Sequence, residues 1–83
     1  MNIREENYLG DNMKDLSRKI LETSIAHFRA HIEKHKMNVE VLLKNGVGVA
    51  EHPDVMETIE KELTKVAHYR DLLEEAQMML EEM

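Results

Sequence analysis

Apolar residues recur every three or four positions along most of the chain, which is the spacing of one face of an α-helix. Between Asn12 and Asn45 no proline or glycine interrupts this pattern. The repeating positions cover about half of the helical circumference, so the segment is predicted to be a long amphipathic helix with more than one neighbour. They are Met13, Leu16, Ile20, Leu21, Ile25, Phe28, Ile32, Val39, Leu42 and Leu43.

A second helix is predicted from residue 53 to residue 82, after a turn at residues 46–52. Gly46 can take the left-handed conformation that commonly follows the end of a helix. Pro53 is tolerated in a first helical turn, and Asp54 suits the positive end of the helix dipole. Positions four and three apart then form a heptad seam that contains two polar residues. The seam is Met56, Ile59, Leu63, Val66, Arg70, Leu73, Gln77 and Leu80.

The predicted fold class is all-α, with two long antiparallel helices in a helical hairpin. Helices 12–45 and 53–82 should measure about 50 Å and 45 Å, and a short connection makes such helices antiparallel. Residues 1–11 are predicted to be an N-terminal arm, because Gly10 and the two residues after it can break and then cap a helix. The arm either docks on the hairpin, which is favoured, or is recognised by a partner. Its apolar side chains are Ile3, Tyr8 and Leu9.

Self-association is predicted because a two-helix hairpin leaves half of each wide apolar face in water. A chain of 83 residues buries only about 60% of its unfolded surface, which leaves little stability without further support. The chain has no cysteine, so a disulfide cannot supply that support. Two hairpins are therefore expected to pair into a four-helix bundle. The residues predicted to mediate pairing are Phe28, Ile32, Val39, Ile59, Leu63, Val66 and Leu73.

The chain is acidic, with a formal net charge of −6, which opposes non-specific binding to the phosphate backbone of nucleic acids. Residues 12–45 carry seven bases and four acids, a net charge of +3, whereas residues 51–83 carry three bases and ten acids, a net charge of −7. Segments of opposite charge suit each other as neighbours. No apolar run approaches the roughly 18 residues of a membrane-spanning helix, so a cytoplasmic location without a membrane partner is expected.

Three histidines stand four residues apart at His27, His31 and His35. This spacing places imidazoles on neighbouring turns of one helix side, where two of them can bind one metal ion. His31 and His35 are the candidate metal ligands, with further ligands from His68, an acidic residue or a second subunit. The favoured alternative is that these histidines are buried or half-buried and bond to a neighbouring helix, so no cofactor is predicted.

Lys14, Arg18 and Lys19 form a small basic cluster near the start of the first long helix. Together with Tyr8 they are candidate residues for binding an anion or a nucleotide. The favoured alternative is a solvated face that pairs with the acidic second helix.

Catalytic residues are not predicted. The chain has no cysteine, and Ser17 and Ser24 are predicted to lie on a regular helix without a loop that could form an oxyanion hole. The chain is therefore expected not to be an enzyme.

Two blocks of sequence carry a resemblance to known proteins: KHKMNVEVLLKN at residues 34–45 and EHPDVMETIEKEL at residues 51–63. They lie within residues 30–74, a little more than half of the chain, and this stretch resembles small proteins of unknown function encoded by tailed phages of marine cyanobacteria. The resemblance implies a phage or marine microbial source and no particular reaction. The expected function is a non-catalytic helical interaction module that binds itself, with a host or phage protein as a further candidate partner. A small-ligand or metal-binding protein is the alternative.

Overall fold

The computed structural model is a hairpin of two α-helices, and it describes residues 3–46 and 54–83, with side chains from residue 13 to residue 45 and from residue 54 onward. Helix α1 is Ile3–Gly46, with 44 residues, and helix α2 is Asp54–Glu81, with 28 residues. The described residues contain no strand. The predicted all-α helical hairpin is confirmed.

Helix α1 begins at Ile3, so the prediction that a helix starts at Asn12 after a separate arm is wrong. Gly10 lies inside the helix and does not end it. A glycine costs a helix only about 1 kcal/mol relative to alanine, and a long helix bears the cost of nucleation once. The predicted docking of Ile3, Tyr8 and Leu9 on the hairpin concerns side chains outside the described ones.

The other helix ends agree with the sequence to within one residue. Gly46 is the last helical residue of α1, whereas the sequence placed it just beyond the end in a left-handed conformation. Helix α2 begins at Asp54 and has Asp54 and Glu57 in its first turn, where carboxylates offset the positive end of the helix dipole. The rest of the predicted turn, residues 47–52, lies outside the described residues.

Contacts between side chains show that the two helices are antiparallel. Near the end of α1, His35 bonds to Glu62 of α2. Further toward the start of α1, Phe28 and His31 contact Tyr69, which lies later in α2. Helix α1 has 44 residues and α2 has 28, so α1 is longer by about 24 Å at 1.5 Å per residue.

The core of the hairpin is a single thin layer between the helices. Among the described side chains, five are buried, and four of them are apolar. A helix with one neighbour can hide only the stripe that faces that neighbour, so the rest of a wide apolar face stays in contact with water. The buried residues are Ile25, Ile32, His35, Val66 and Ala76.

The seam of α2 differs from the predicted one by a rotation of the helix. Met56, Leu63 and Arg70, all predicted seam members, are exposed, while Glu62 and Tyr69 are half-buried against α1. The central positions, which include the buried Val66, are shared by both seams. The sequence pattern was ambiguous because each column mixes apolar and polar residues: Met56, Leu63, Arg70 and Gln77 in the predicted one, and Val55, Glu62, Tyr69 and Ala76 in the observed one.

None of the described helices combines the length and apolarity that are needed to cross a lipid bilayer.

We predict that Ile32→Ala lowers the free energy of unfolding by about 2–5 kcal/mol, because it removes a buried side chain and leaves a cavity in a thin core. Ile32 is 7% exposed, whereas Ile20 on the same helix is 57% exposed. Ile20→Ala is therefore a matched control that should have a much smaller effect. Urea unfolding followed by circular dichroism measures both variants, and equal losses would contradict the assigned core.

Candidate functional site

The three histidines of α1 form a column that runs from the buried interior to the surface. His35 is buried, His31 is half-buried and His27 is exposed. Successive positions four residues apart on a helix are rotated by about 40°, which carries the column gradually away from α2. The three imidazoles therefore have three different environments.

His35 is held by a polar contact between the helices. Its Nδ1 atom lies 2.6 Å from Oε2 of Glu62, and the side-chain amide of Asn38 donates a hydrogen bond of 3.2 Å to the same oxygen. A carboxylate can only accept hydrogen bonds, so the Nδ1 atom of His35 must carry the proton. The buried imidazole and the buried part of the carboxylate thus satisfy each other.

Hydrogen bonds from His35 and Asn38 lower the pKa of Glu62 below its ordinary value of 4.5. Partial burial of the carboxyl acts in the opposite direction, and the nearby charge of Lys65 adds to the lowering. Oε1 of Glu62 lies 3.7 Å from Nζ of Lys65. The carboxylate is therefore held in its charged form over a wide pH range, which suits a structural contact better than proton transfer near neutral pH.

Tyr69 of α2 lies flat against the histidine column. Its ring is stacked on that of His31, with ring centroids 4.3 Å apart and an interplanar angle of 8°. The ring of His35 is nearly parallel to that of Tyr69 with centroids 5.9 Å apart, and the Phe28 ring lies 6.2 Å from that of Tyr69. These contacts cover the apolar faces of the rings and hold His31 in one orientation.

His31 makes its polar contact with His27. The two Nε2 atoms are 3.1 Å apart, and Nδ1 of His31 is buried without a hydrogen-bond partner among the described residues. Burial lowers the pKa of His31 below its ordinary value of 6.5, and the neighbouring His27, Lys34 and His35 lower it further. His31 is therefore mainly neutral at pH 7.

His31 and His35, the candidate metal ligands, are neighbours whose nitrogens engage different partners. Their rings are stacked with centroids 6.0 Å apart, while Nδ1 of His35 binds Glu62 and Nε2 of His31 faces His27. Within residues 13–45 and 54–83, no three His, Asp or Glu side chains are grouped so that they could hold a metal ion. His27 is thus the histidine whose ring nitrogen meets Nε2 of His31.

The predicted anion site lies only partly within the described side chains. Lys14, Arg18 and Lys19 are exposed on α1, and the side chain of Tyr8 lies outside the described part. Where side chains are described, the ion pairs do not include these three bases. The predicted pairing of this cluster with the acidic helix is likewise not seen in that part of the chain.

The residues predicted for self-association occupy three environments. Ile32 and Val66 are already buried inside the hairpin, and Leu63 is 51% exposed. The remaining members are half-buried: Phe28, Val39, Ile59 and Leu73.

An apolar groove runs along one side of the hairpin, and we call it the Leu63 groove. One part, of about 480 Å³, is lined by Leu43, Met56, Ile59, Glu60 and Leu63. It continues along the hairpin into a second part of about 270 Å³, and Leu63 belongs to both parts. The second part is lined by Lys36, Val39, Glu40, Leu63, Val66 and Arg70.

Glu62, Asn38 and Tyr69 were not predicted from the sequence as partners of the histidines. A signal existed, because Glu62 and Tyr69 are seven residues apart and flank the buried Val66 at helical spacing. A carboxylate on an inner face needs a donor on the neighbouring helix, and His35 is such a donor. Asn38 carried no comparable signal, since asparagine is common on exposed helix faces.

Comparisons of the chain with protein-family models, with curated proteins and with solved structures gave no match.

We predict that acid destabilises the hairpin in two steps. The pKa of folded His31 lies below 6.5, so the unfolded chain binds the proton first, and stability should fall as the pH drops through 6.5 and level off below the lowered pKa. The pKa of folded Glu62 lies below 4.5, so its contribution is complete above 4.5 and is lost as the pH falls through the folded value. Thermal unfolding at a series of pH values measures both steps.

Two variants separate the steps. Glu62→Gln should weaken the contact with His35 at neutral pH and abolish the lower step, whereas His31→Gln should abolish the upper one. Glu75→Gln removes a carboxylate from an exposed position of the same helix and is the matched control for Glu62. An unchanged pH profile in Glu62→Gln would contradict the role assigned to this carboxylate.

Proposed function

We propose that this chain is a non-catalytic helical interaction module that pairs with a second copy through the Leu63 groove. The observation that carries the proposal is the exposure of apolar residues along one column of α2. Leu63 is 51% exposed and Met56 is 78% exposed, although the neighbouring Val66 is buried. A column of this kind is typical of a helix that packs against two partners.

The accessible surface of the chain supports a further partner. The chain has an accessible surface of 6930 Å², whereas a compact monomer of 9.7 kDa should expose about 5100 Å² by size scaling. The excess of about 1800 Å² is larger than the roughly 800 Å² that each partner contributes to a standard protein interface. The excess is therefore large enough for an interface of standard size.

The spacing within the groove favours a helical occupant. Met56 and Leu63 are seven residues apart on α2, and Arg70 follows at the same interval. Side chains at this interval lie in one row and fit between the side chains of another helix, as in a four-helix bundle. The end of the row at Arg70 is polar, which allows a charged contact at the rim of the interface.

The distribution of charge favours a second copy as that occupant. Residues 12–45 have a net charge of +3 and residues 51–83 a net charge of −7. Packing that lays α1 of one copy beside α2 of the other places opposite charges together, and electrostatic complementarity of this kind supports specific association. Lys36 and Glu60 border different parts of the groove, where they are available for such contacts.

A phage origin, a host or phage protein as partner, and a cytoplasmic location remain predictions that rest on the sequence. The same groove could receive a helix of another protein, and the measurement below distinguishes that case because such a chain is monomeric when purified.

We predict that the purified chain is a dimer or a larger assembly at micromolar concentration, and that Leu63→Glu shifts it to the monomer. A carboxylate in the centre of an apolar interface is buried without a partner, which strongly disfavours association. Light scattering after size exclusion measures the mass of each species.

Val41→Glu is the matched control, since Val41 is 55% exposed on a face of α1 that does not line the groove. It should leave the assembly intact. A compact monomer of the parent chain would overturn the proposed function, and dissociation by Val41→Glu but not by Leu63→Glu would assign the interface to another face.

A further inference from the structure

We propose that His27 and His31 form a chelate for one divalent transition-metal cation such as Zn²⁺ or Cu²⁺, with both Nε2 atoms as ligands. The two atoms lie 3.1 Å apart on successive turns of α1. This pair differs from the candidate pair named from the sequence, His31 and His35, because Glu62 engages His35. The inference is independent of self-association, since both ligands come from one chain.

The separation of the two nitrogens fits a shared cation. With metal–nitrogen bonds of about 2.0–2.1 Å, two ligands stand about 2.9 Å apart at a right angle and about 3.3 Å apart at the tetrahedral angle. The observed 3.1 Å lies between these limits. No large movement of the helix is therefore needed to bring both nitrogens to one ion.

His31 is prepared for this role by its surroundings. Stacking on Tyr69 holds the ring in place, and only Nε2 can receive a ligand because Nδ1 is buried. A neutral imidazole offers the lone pair that a metal ion requires.

Binding also has a modest cost in hydrogen bonding. Without metal, one Nε2 atom donates a hydrogen bond to the other, and metal binding requires the proton of each ring to be on Nδ1. The Nδ1 atom of His31 has no hydrogen-bond partner among the described residues. It therefore loses no hydrogen bond when the proton moves to it from Nε2. The change of tautomer therefore sacrifices only the bond between His27 and His31.

The cation would lie in a shallow depression that is open to solvent. The depression has a volume of about 120 Å³ and is lined by His27, Ala30, His31 and Lys34. Imidazole nitrogen favours Zn²⁺, Cu²⁺ and Ni²⁺ over Mg²⁺ and Ca²⁺, which prefer oxygen ligands. Two protein ligands leave the remaining positions of the ion to water. The ammonium group of Lys34 opposes the bound cation and limits its affinity.

The test is a calorimetric titration of the full chain with Zn²⁺ at neutral pH, accompanied by NMR spectra of the histidine rings. We expect saturable binding of one ion per chain, with chemical-shift changes at His27 and His31 and a rise in melting temperature through binding linkage. His27→Gln should weaken binding by more than about tenfold, because one of two ligands is lost. His27 is exposed, so this variant should fold like the parent.

Two further variants complete the test. His68→Gln removes an exposed histidine of α2 that lies outside the pair and should leave binding unchanged. Lys34→Gln removes the opposing charge and should strengthen binding. Absence of saturable binding by the parent, or equal affinity of the parent and His27→Gln, would overturn the proposal.

Discussion

The contact between His35 and Glu62 determines how the two helices face each other. Both groups lie largely out of water, and a buried polar group without a partner costs more free energy than most apolar contacts provide. They lie 2.6 Å apart and satisfy each other, so α2 must present Glu62 to α1. The ring of Tyr69, seven residues further along α2, then lies against His31. A rotation of α2 by one residue, about 100°, would separate both pairs.

The observed orientation of α2 about its axis decides which apolar residues remain outside the contact between the helices. Once Glu62 and Tyr69 face α1, Met56 and Leu63 point to the side of the hairpin and line the groove. A seam through Met56 and Leu63 would have buried those two side chains and left Glu62 and Tyr69 outside. The polar contact therefore selects one of the two arrangements, and buried polar groups can fix helix register in this way. The proposed pairing would return the displaced apolar surface to an interior.

The histidine column shows how one residue type takes different roles along a single helix. His35 is buried and serves as a donor to Glu62, whereas His31 is stacked on Tyr69 and its Nδ1 atom is buried. His27, one turn nearer the start, is exposed and meets His31 through Nε2. Depth and neighbours decide which nitrogen is accessible and which protonation state is stable, so identical spacing does not imply an identical function.

The sequence by itself determined the two helices, their antiparallel pairing and the excess of apolar surface, because periodicity of side chains and the length of a connection are local properties. Local propensity gave a wrong prediction at Gly10. A glycine there was expected to break the helix, but its cost is too small to end a long helix. The rotation of α2 and the choice of His27 rather than His35 as partner of His31 were decided only by the tertiary structure. Both depend on contacts between residues such as His35 and Glu62, 27 positions apart, and a pattern along one helix carries no information about the partner it meets.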